Sequence, residues 1–92
     1  MKIRYFIDPE TELPHIYLHD VCEVEVEDVL HKPGEDRAGY ESSRVAIGQT
    51  RNGRHLRIIY VPDENGQSLF VITAYDLKGK PLEAFRRRMR RR

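Results

Sequence analysis

The chain has 92 residues, of which 39% are hydrophobic and 34% charged, enough apolar material for one modest core and too little chain for a second domain. Its longest apolar runs, Ile58 to Val61 and Leu69 to Ile72, are four residues each, against about 20 for a membrane-crossing helix, so no membrane span is expected. A formal net charge of +1 conceals opposite halves: residues 1–41 carry four basic and eleven acidic side chains, residues 42–92 twelve basic and four acidic.

The net charges of these halves, −7 and +8, suit a basic working surface for a polyanion; folding that interleaves the halves is the competing reading. The single cysteine, Cys22, has no internal partner, and the N-terminus carries no leader-like apolar stretch. A reducing, cytoplasmic setting is therefore expected.

In chain order, Lys2 to Ile7 is β-branched and aromatic and stops at Asp8-Pro9, which predicts a first strand. Leu13, Ile16 and Tyr17 have helical spacing and Pro14 suits a first turn, so Pro14 to His19 is expected as a short helix or a single turn. In the next stretch Val24 and Val26 alternate with glutamates, whereas Cys22, Val26, Val29 and Leu30 share one helical face. The ends decide for a helix over Val21 to His31: Asp20 and Glu23 have the form of a capping box, Lys32 complements the dipole, and Pro33-Gly34 terminates the segment. Glu35 to Glu41 has no apolar periodicity and reads as a surface loop.

Arg44 to Thr50 and Arg54 to Val61 form a predicted hairpin around Asn52-Gly53. With those two as the loop, Val45 faces Tyr60, Ile47 faces Ile58 and Gln49 faces Leu56, and this side is the expected core. The other side carries Ala46, Gly48 and Thr50 against Ile59, Arg57 and His55, with Arg44 at its edge, a shallow basic trough. Ser68 to Tyr75 is the third and central strand of the meander; loop parity or a bulge decides whether Thr73 and Tyr75 or Ile72 and Ala74 share the trough, and the sequence leaves both open. After a turn at Lys78 to Lys80, Pro81 suits a first helical position and Leu82, Phe85 and Met89 form one stripe. Arg86, Arg87, Arg88, Arg90, Arg91 and Arg92 then make a basic helix or frayed tail matched to phosphate oxygens.

The expected fold is thus α+β, a single domain in which two helices from the N-terminal half pack on an antiparallel β-meander beside a C-terminal basic helix. Its core is expected to include Ile3, Tyr5, Val26, Val29, Leu30, Val45, Ile47, Leu56, Ile58, Ile72 and Phe85.

His15, His19, Cys22 and His31 are residue types that bind zinc, but no ligand-spacing motif organises them, and Cys22 reads better as a small core residue. No metal site or cofactor is expected, and neither a nucleophile-elbow nor a phosphate-cradling glycine loop occurs. The trough offers Arg44, Arg57 and His55, with Arg54 at the turn and the open membership of Thr73 and Tyr75. Cleaving RNA without a metal needs an acceptor for the 2′-hydroxyl proton, cations for the phosphorane and an acid for the leaving 5′-oxygen, and Arg, His and Tyr supply these types. A wet outer face of an antiparallel sheet would hold the same residues. Arg51 and the terminal arginines Arg86, Arg87, Arg88, Arg90 and Arg91 are candidate RNA contacts, and an acidic protein would suit them equally.

The stretches H-I-Y-L-H-D-V, E-D-V-L-H-K-P, R-V-A-I-G-Q-T-R-N-G-R-H-L-R-I-I-Y-V and F-V-I-T-A-Y resemble the small bacterial proteins related to BrnT, toxins of type II toxin–antitoxin systems with a RelE-like fold. The similarity spans roughly residues 3 to 88. It implies a ribonuclease that acts on mRNA to arrest translation and an antitoxin protein that wraps it. By position it points to His19, Arg44, Arg54, Thr73 and Tyr75. The chain departs from the BrnT-type pattern at Ile7-Asp8 (for W-D), at Leu18-His19-Asp20 (for K-H-G) and at Tyr75, where an Arg is usual. The expected function is a metal-independent endoribonuclease in which Arg54, Arg57 and Arg44 hold phosphate, His55 or His19 transfers the proton, and Tyr75 is the acid or a base-stacking residue. The alternative is a non-catalytic module that binds RNA or an acidic protein.

Overall fold

The β-branched and aromatic stretches of the chain become strands, and a computed structural model, which describes residues 2–91, joins them into one five-stranded mixed sheet. The elements run β1 (Lys2–Tyr5), a 3-10 turn (His15–His19), α1 (Glu23–His31), β2 (Glu35–Ala38), β3 (Arg44–Gln49), β4 (His55–Pro62), β5 (Ser68–Asp76) and α2 (Gly79–Arg90). The strand order is β1-β5-β4-β3-β2; β2 to β5 form an antiparallel meander, and β1 adds to β5 in parallel. The fold is α+β, as the residue pattern implies. Arg92, the last of the predicted basic run, lies outside the described residues.

Three local details differ from the sequence-based expectation. Helix α1 begins at Glu23 because Cys22, extended and exposed, takes the N-cap position, and the Glu25 carboxylate accepts the Cys22 N–H at 3.1 Å. The predicted capping pair is used elsewhere: Asp20 adopts a φ of 58° to close the 3-10 turn, and Glu23 accepts the Tyr17 hydroxyl at 2.8 Å. Cys22 is therefore not a core residue. Residues 35–38, read as loop, form edge strand β2, pairing Glu35 with Ile47 through to Ala38 with Arg44. A charged edge strand needs no apolar face, and its charges discourage pairing with other chains.

The β3–β4 hairpin closes one residue wider than Asn-Gly alone suggests. Thr50 N–H donates to the Arg54 carbonyl at 2.8 Å and Gly53 N–H to the Thr50 carbonyl at 3.0 Å, so the loop is Arg51-Asn52-Gly53. Of these residues only Gly53 has a positive φ, 93°, the signature of a three-residue loop with a glycine bulge rather than a two-residue turn. The pairs become Val45 with Ile59, Ala46 with Ile58, Ile47 with Arg57, Gly48 with Leu56 and Gln49 with His55. Because side chains alternate, this one-residue shift moves each β3 residue to the opposite partner set. The predicted core side is split in two.

Both faces of the sheet are in fact covered. On one, Val26, Val29 and Leu30 of α1 pack with Ile16 and Val21 against Ala46, Leu56, Ile58, Tyr60, Val71 and Ala74, and Ile3, Tyr5 and Leu69 close the edge. Gly48 permits the approach: a Cβ there would sit 3.1 Å from Val29 Cγ1. On the other face Val45 and Ile47 meet Leu77 and Phe85, with Leu82 and Met89 at the margin. Here Gly34 admits the aromatic ring, since a Cβ would lie 2.7 Å from Phe85 Cζ. The Arg88–Glu35 ion pair ties α2 to β2. This places α2 over the β2–β3 side, and Arg57, Ile59, Thr73 and Tyr75 on the β4–β5 side of that face remain half-buried.

Candidate functional site

A bulge at Ile59/Tyr60 settles the register of β5: Arg57 pairs with Tyr75 and Ile59 with Thr73, while Tyr60 pairs with Val71 and skips Ile72. Arg57, Thr73 and Tyr75 therefore share one face. The 3-10 turn lies along the edge of β5 beyond the end of β1 and brings the His19 ring to 5.8 Å from the Tyr75 ring, edge-on. Behind it, His15 stands 5.4 Å from His19, again edge-on, and its Nδ1 lies 3.3 Å from Asp8 Oδ2. The N–H groups of Glu10 and Thr11 bind the other oxygen of Asp8. Glu10 N–H first, then the His15 contact, hold the Asp8 carboxyl below its usual range. With an ionised carboxylate as acceptor, Nδ1 of His15 is the donor.

The result is a row of imidazole, imidazole, phenol and guanidinium on a sheet face that α2 does not cover. Two polar atoms in it, Arg57 Nε and Thr73 Oγ1, are buried without a hydrogen-bond partner. Buried donors are normally satisfied, so these two atoms are the unmet polar groups of this face. Among the described residues no carboxylate pairs with Arg57, and no three His, Cys, Asp or Glu side chains are grouped to hold a metal ion.

Other sequence-predicted site residues lie elsewhere. Arg44, aligned with Tyr60, is on the α1 face: its Nε donates to Asp36 at 2.9 Å, and Tyr60 donates to the same carboxylate. Burial first, then this hydrogen bond, pushes the Tyr60 phenol up to about 12. Ala46 and Gly48 also face α1, so they do not line a trough, and Thr50 is 4% exposed and folds its hydroxyl onto the hairpin turn. Arg54 is bound on all sides, its guanidinium donating to Asp76, to Glu25 at 2.9 Å, and to the backbone carbonyls of Asp20 and His19. The hydrogen bond to Asp76 does most to raise its pKa, and reciprocally holds the Asp76 carboxyl low. Arg54 is thus a tie that fixes the backbone of His19 beside β5, not a free phosphate ligand.

His55 shares the face of Arg57 but sits under α2, its ring 6.0 Å from that of Phe85. Burial, then the nearby Arg86, lowers its pKa. Of the predicted RNA contacts, Arg88 is paired with Glu35, and Arg51, 93% exposed, leans toward Asp28 at 3.5 Å. Arg86, Arg87, Arg90 and Arg91 have no carboxylate partner among the described residues. The charge halves are therefore partly interleaved: Arg44, Arg51, Arg54 and Arg88 each pair with an acid from the N-terminal half. Among the described residues, the basic side chains of the C-terminal half without a carboxylate partner are Arg57, Lys80, Arg86, Arg87, Arg90 and Arg91, and Lys32 of the other half is also unpaired.

His15 and Asp8 are the site residues that residue types alone did not assign. Their signal was present as His15 and His19 four apart, but the 3-10 turn, not an α-helix, sets the two rings against each other. No family profile, curated protein or solved structure matches the chain.

Proposed function

We propose that this protein is a metal-independent endoribonuclease acting on mRNA, a toxin of the BrnT-related, RelE-like kind, active in the bacterial cytoplasm and neutralised by an antitoxin protein. The observation that carries this reading is the His19 ring 5.8 Å from Tyr75, with Tyr75 aligned across the strands with Arg57, whose Nε is unpaired. In the proposed reaction His19 takes the proton of a ribose 2′-hydroxyl as its oxygen bonds to the adjacent phosphorus. Arg57 and the Thr73 hydroxyl donate hydrogen bonds to the phosphorane oxygens, where charge develops. The P–O5′ bond then breaks and the Tyr75 hydroxyl delivers a proton to the departing oxygen, leaving a 2′,3′-cyclic phosphate and a 5′-hydroxyl. Asp8 and His15 act as positioning residues, holding the His19 ring from behind, and Arg54 fixes its backbone.

The test is induced expression in a bacterial host of the wild type, His19→Ala and Arg57→Ala, with growth followed and total RNA searched for new 5′ ends. Arrest and new ends in the wild type alone support the reading. Harmless wild-type expression without cleavage overturns it and leaves the second reading, a non-catalytic module for RNA or an acidic protein, which the unpaired arginines of α2 favour.

A further inference from the structure

Beside the β3 and β4 ends, α2 leaves a half-open cavity of about 520 Å³ lined by Gly34, Gly48, Gln49, His55, Phe85 and Met89, with Lys32, Arg86 and Arg90 at its rim. That is within the size range of small-ligand sites, which run from about 300 to 1,000 Å³. Its floor is apolar and aromatic. The rim is cationic and uncompensated: among the described residues Lys32, Arg86 and Arg90 have no carboxylate partner, and the neighbouring Glu35 is engaged by Arg88 and, at 3.6 Å, by Arg37. An apolar floor beneath three cations fits a ligand that is flat and apolar at one end and anionic at the other.

We propose that this cavity is a nucleotide subsite that takes one base of single-stranded RNA against His55 and Met89, with the attached phosphate on Arg86, Arg90 and Lys32. The proposal rests on the RNA reading above and adds to it where the strand enters. His55 is half-buried and braced edge-on by Phe85 at 6.0 Å, so its ring is a fixed platform, and bases stack on such rings without regard to sequence. Met89 adds a polarizable thioether to the lining of the same cavity. Burial, then the nearby Arg86, lowers the pKa of the imidazole, and the cations at the rim are the anion ligands. His55 and Arg57 point to the same side of β4 two residues apart, about 7 Å along the strand, close to one extended nucleotide step. A base in the cavity would thus place a neighbouring phosphate at Arg57, facing Tyr75 and His19.

The probe is 5′-AMP, titrated into the full-length wild type at low salt and followed by backbone amide NMR, with adenosine and inorganic phosphate as separate arms. The expected result is saturable shifts at Gly34, Gly48, Gln49 and His55 with AMP, weaker ones with either half-ligand, and at least a tenfold loss of affinity in an R86E/R90E variant. Shifts confined to Thr73, Tyr75 and His19, equal shifts with phosphate alone, or none at all would overturn the subsite. His19→Ala is expected to leave the AMP titration unchanged. Growth arrest and RNA cleavage report on the nuclease and the titration on the cavity, so the two failures are distinguishable.

Discussion

Replacing Arg54 by Ala should cost more stability than any other single arginine change in the chain. The guanidinium binds two carboxylates and two backbone carbonyls at once, joining the end of the 3-10 turn, the start of α1 and the end of β5. Hydrogen bonds to charged groups are worth about 1.5–3 kcal/mol each, and stripping one partner from a fully buried ion pair costs about 3–5 kcal/mol. The side chains of Arg54, Glu25 and Asp76 are 21%, 14% and 32% exposed, so water recovers part of that loss, and about 3 kcal/mol is expected. For a domain of this length that is a large share of a total of about 5–15 kcal/mol, and it corresponds to a fall in Tm of roughly 12–24 °C. Urea unfolding followed by circular dichroism measures it, beside Arg54→Lys, which keeps the charge but not the fork and should lose about half as much. If Arg54→Ala stays within about 1 kcal/mol of the wild type, Arg54 is not a tie, and its role as a phosphate ligand reopens.

The same tie sets an acid limit. Arg54 holds Asp76 low, and at Glu25 burial pushes upward but the Cys22 N–H and Arg54 outweigh it. Carboxyls depressed in the folded state contribute stability above their unfolded values of about 3.9–4.3, which is lost as pH falls through the folded pKa values; the wild type should therefore destabilise steeply below about pH 4, and Arg54→Ala less steeply, in urea midpoints taken across pH. Gly34→Ala should destabilise by about 1–3 kcal/mol, read as a lower urea midpoint, because the new Cβ meets the Phe85 ring at 2.7 Å and pushes α2 from the sheet. Tyr60→Phe should cost only about 1 kcal/mol in the same assay, since Arg44 still binds Asp36. If RNA binds along α2, replacing Arg86, Arg87, Arg90 and Arg91 together by Gln should flatten the slope of log affinity against log salt by up to about 3, measured by fluorescence anisotropy with a short oligoribonucleotide.

The element types were readable from the chain because periodicity and punctuation agreed over most of it: β3, β4, β5, α1 and the amphipathic α2 all stand where apolar spacing puts them. The faces were not. They turned on one residue of hairpin loop, and nothing in R-N-G distinguishes a turn with two positive φ values from one in which Gly53 alone takes it. That single parity separated Arg44 from Arg57 and exchanged the wall of the trough. Strand β2 was illegible for a different reason, since E-D-R-A has no buried face to betray it. Among the candidate site residues, Arg57, Thr73, Tyr75 and His19 do come together, whereas Arg54 and Arg88 were read as free cations because the sequence does not show that Glu25 and Glu35 fold back to meet them. His15 reads from sequence only as a metal-binding residue type and Asp8 only as the stop of a strand, because the sequence does not show that the 3-10 turn sets the His15 ring against His19 and its Nδ1 against Asp8.

The pairing of β1 with β5 bears on when the His19–Tyr75 contact can form during synthesis. Lys2 to Tyr5 align with Ser68 to Val71, and His19 meets Tyr75 only through contacts that span most of the chain. Such long loops close slowly and cannot close at all until both ends exist. A nascent chain that stops short of Asp76 lacks Tyr75's strand end and the carboxylate that anchors Arg54, so neither the His19 contact nor its tether can form. The His19–Tyr75 contact and the Arg54 tether therefore form only after synthesis has passed Asp76.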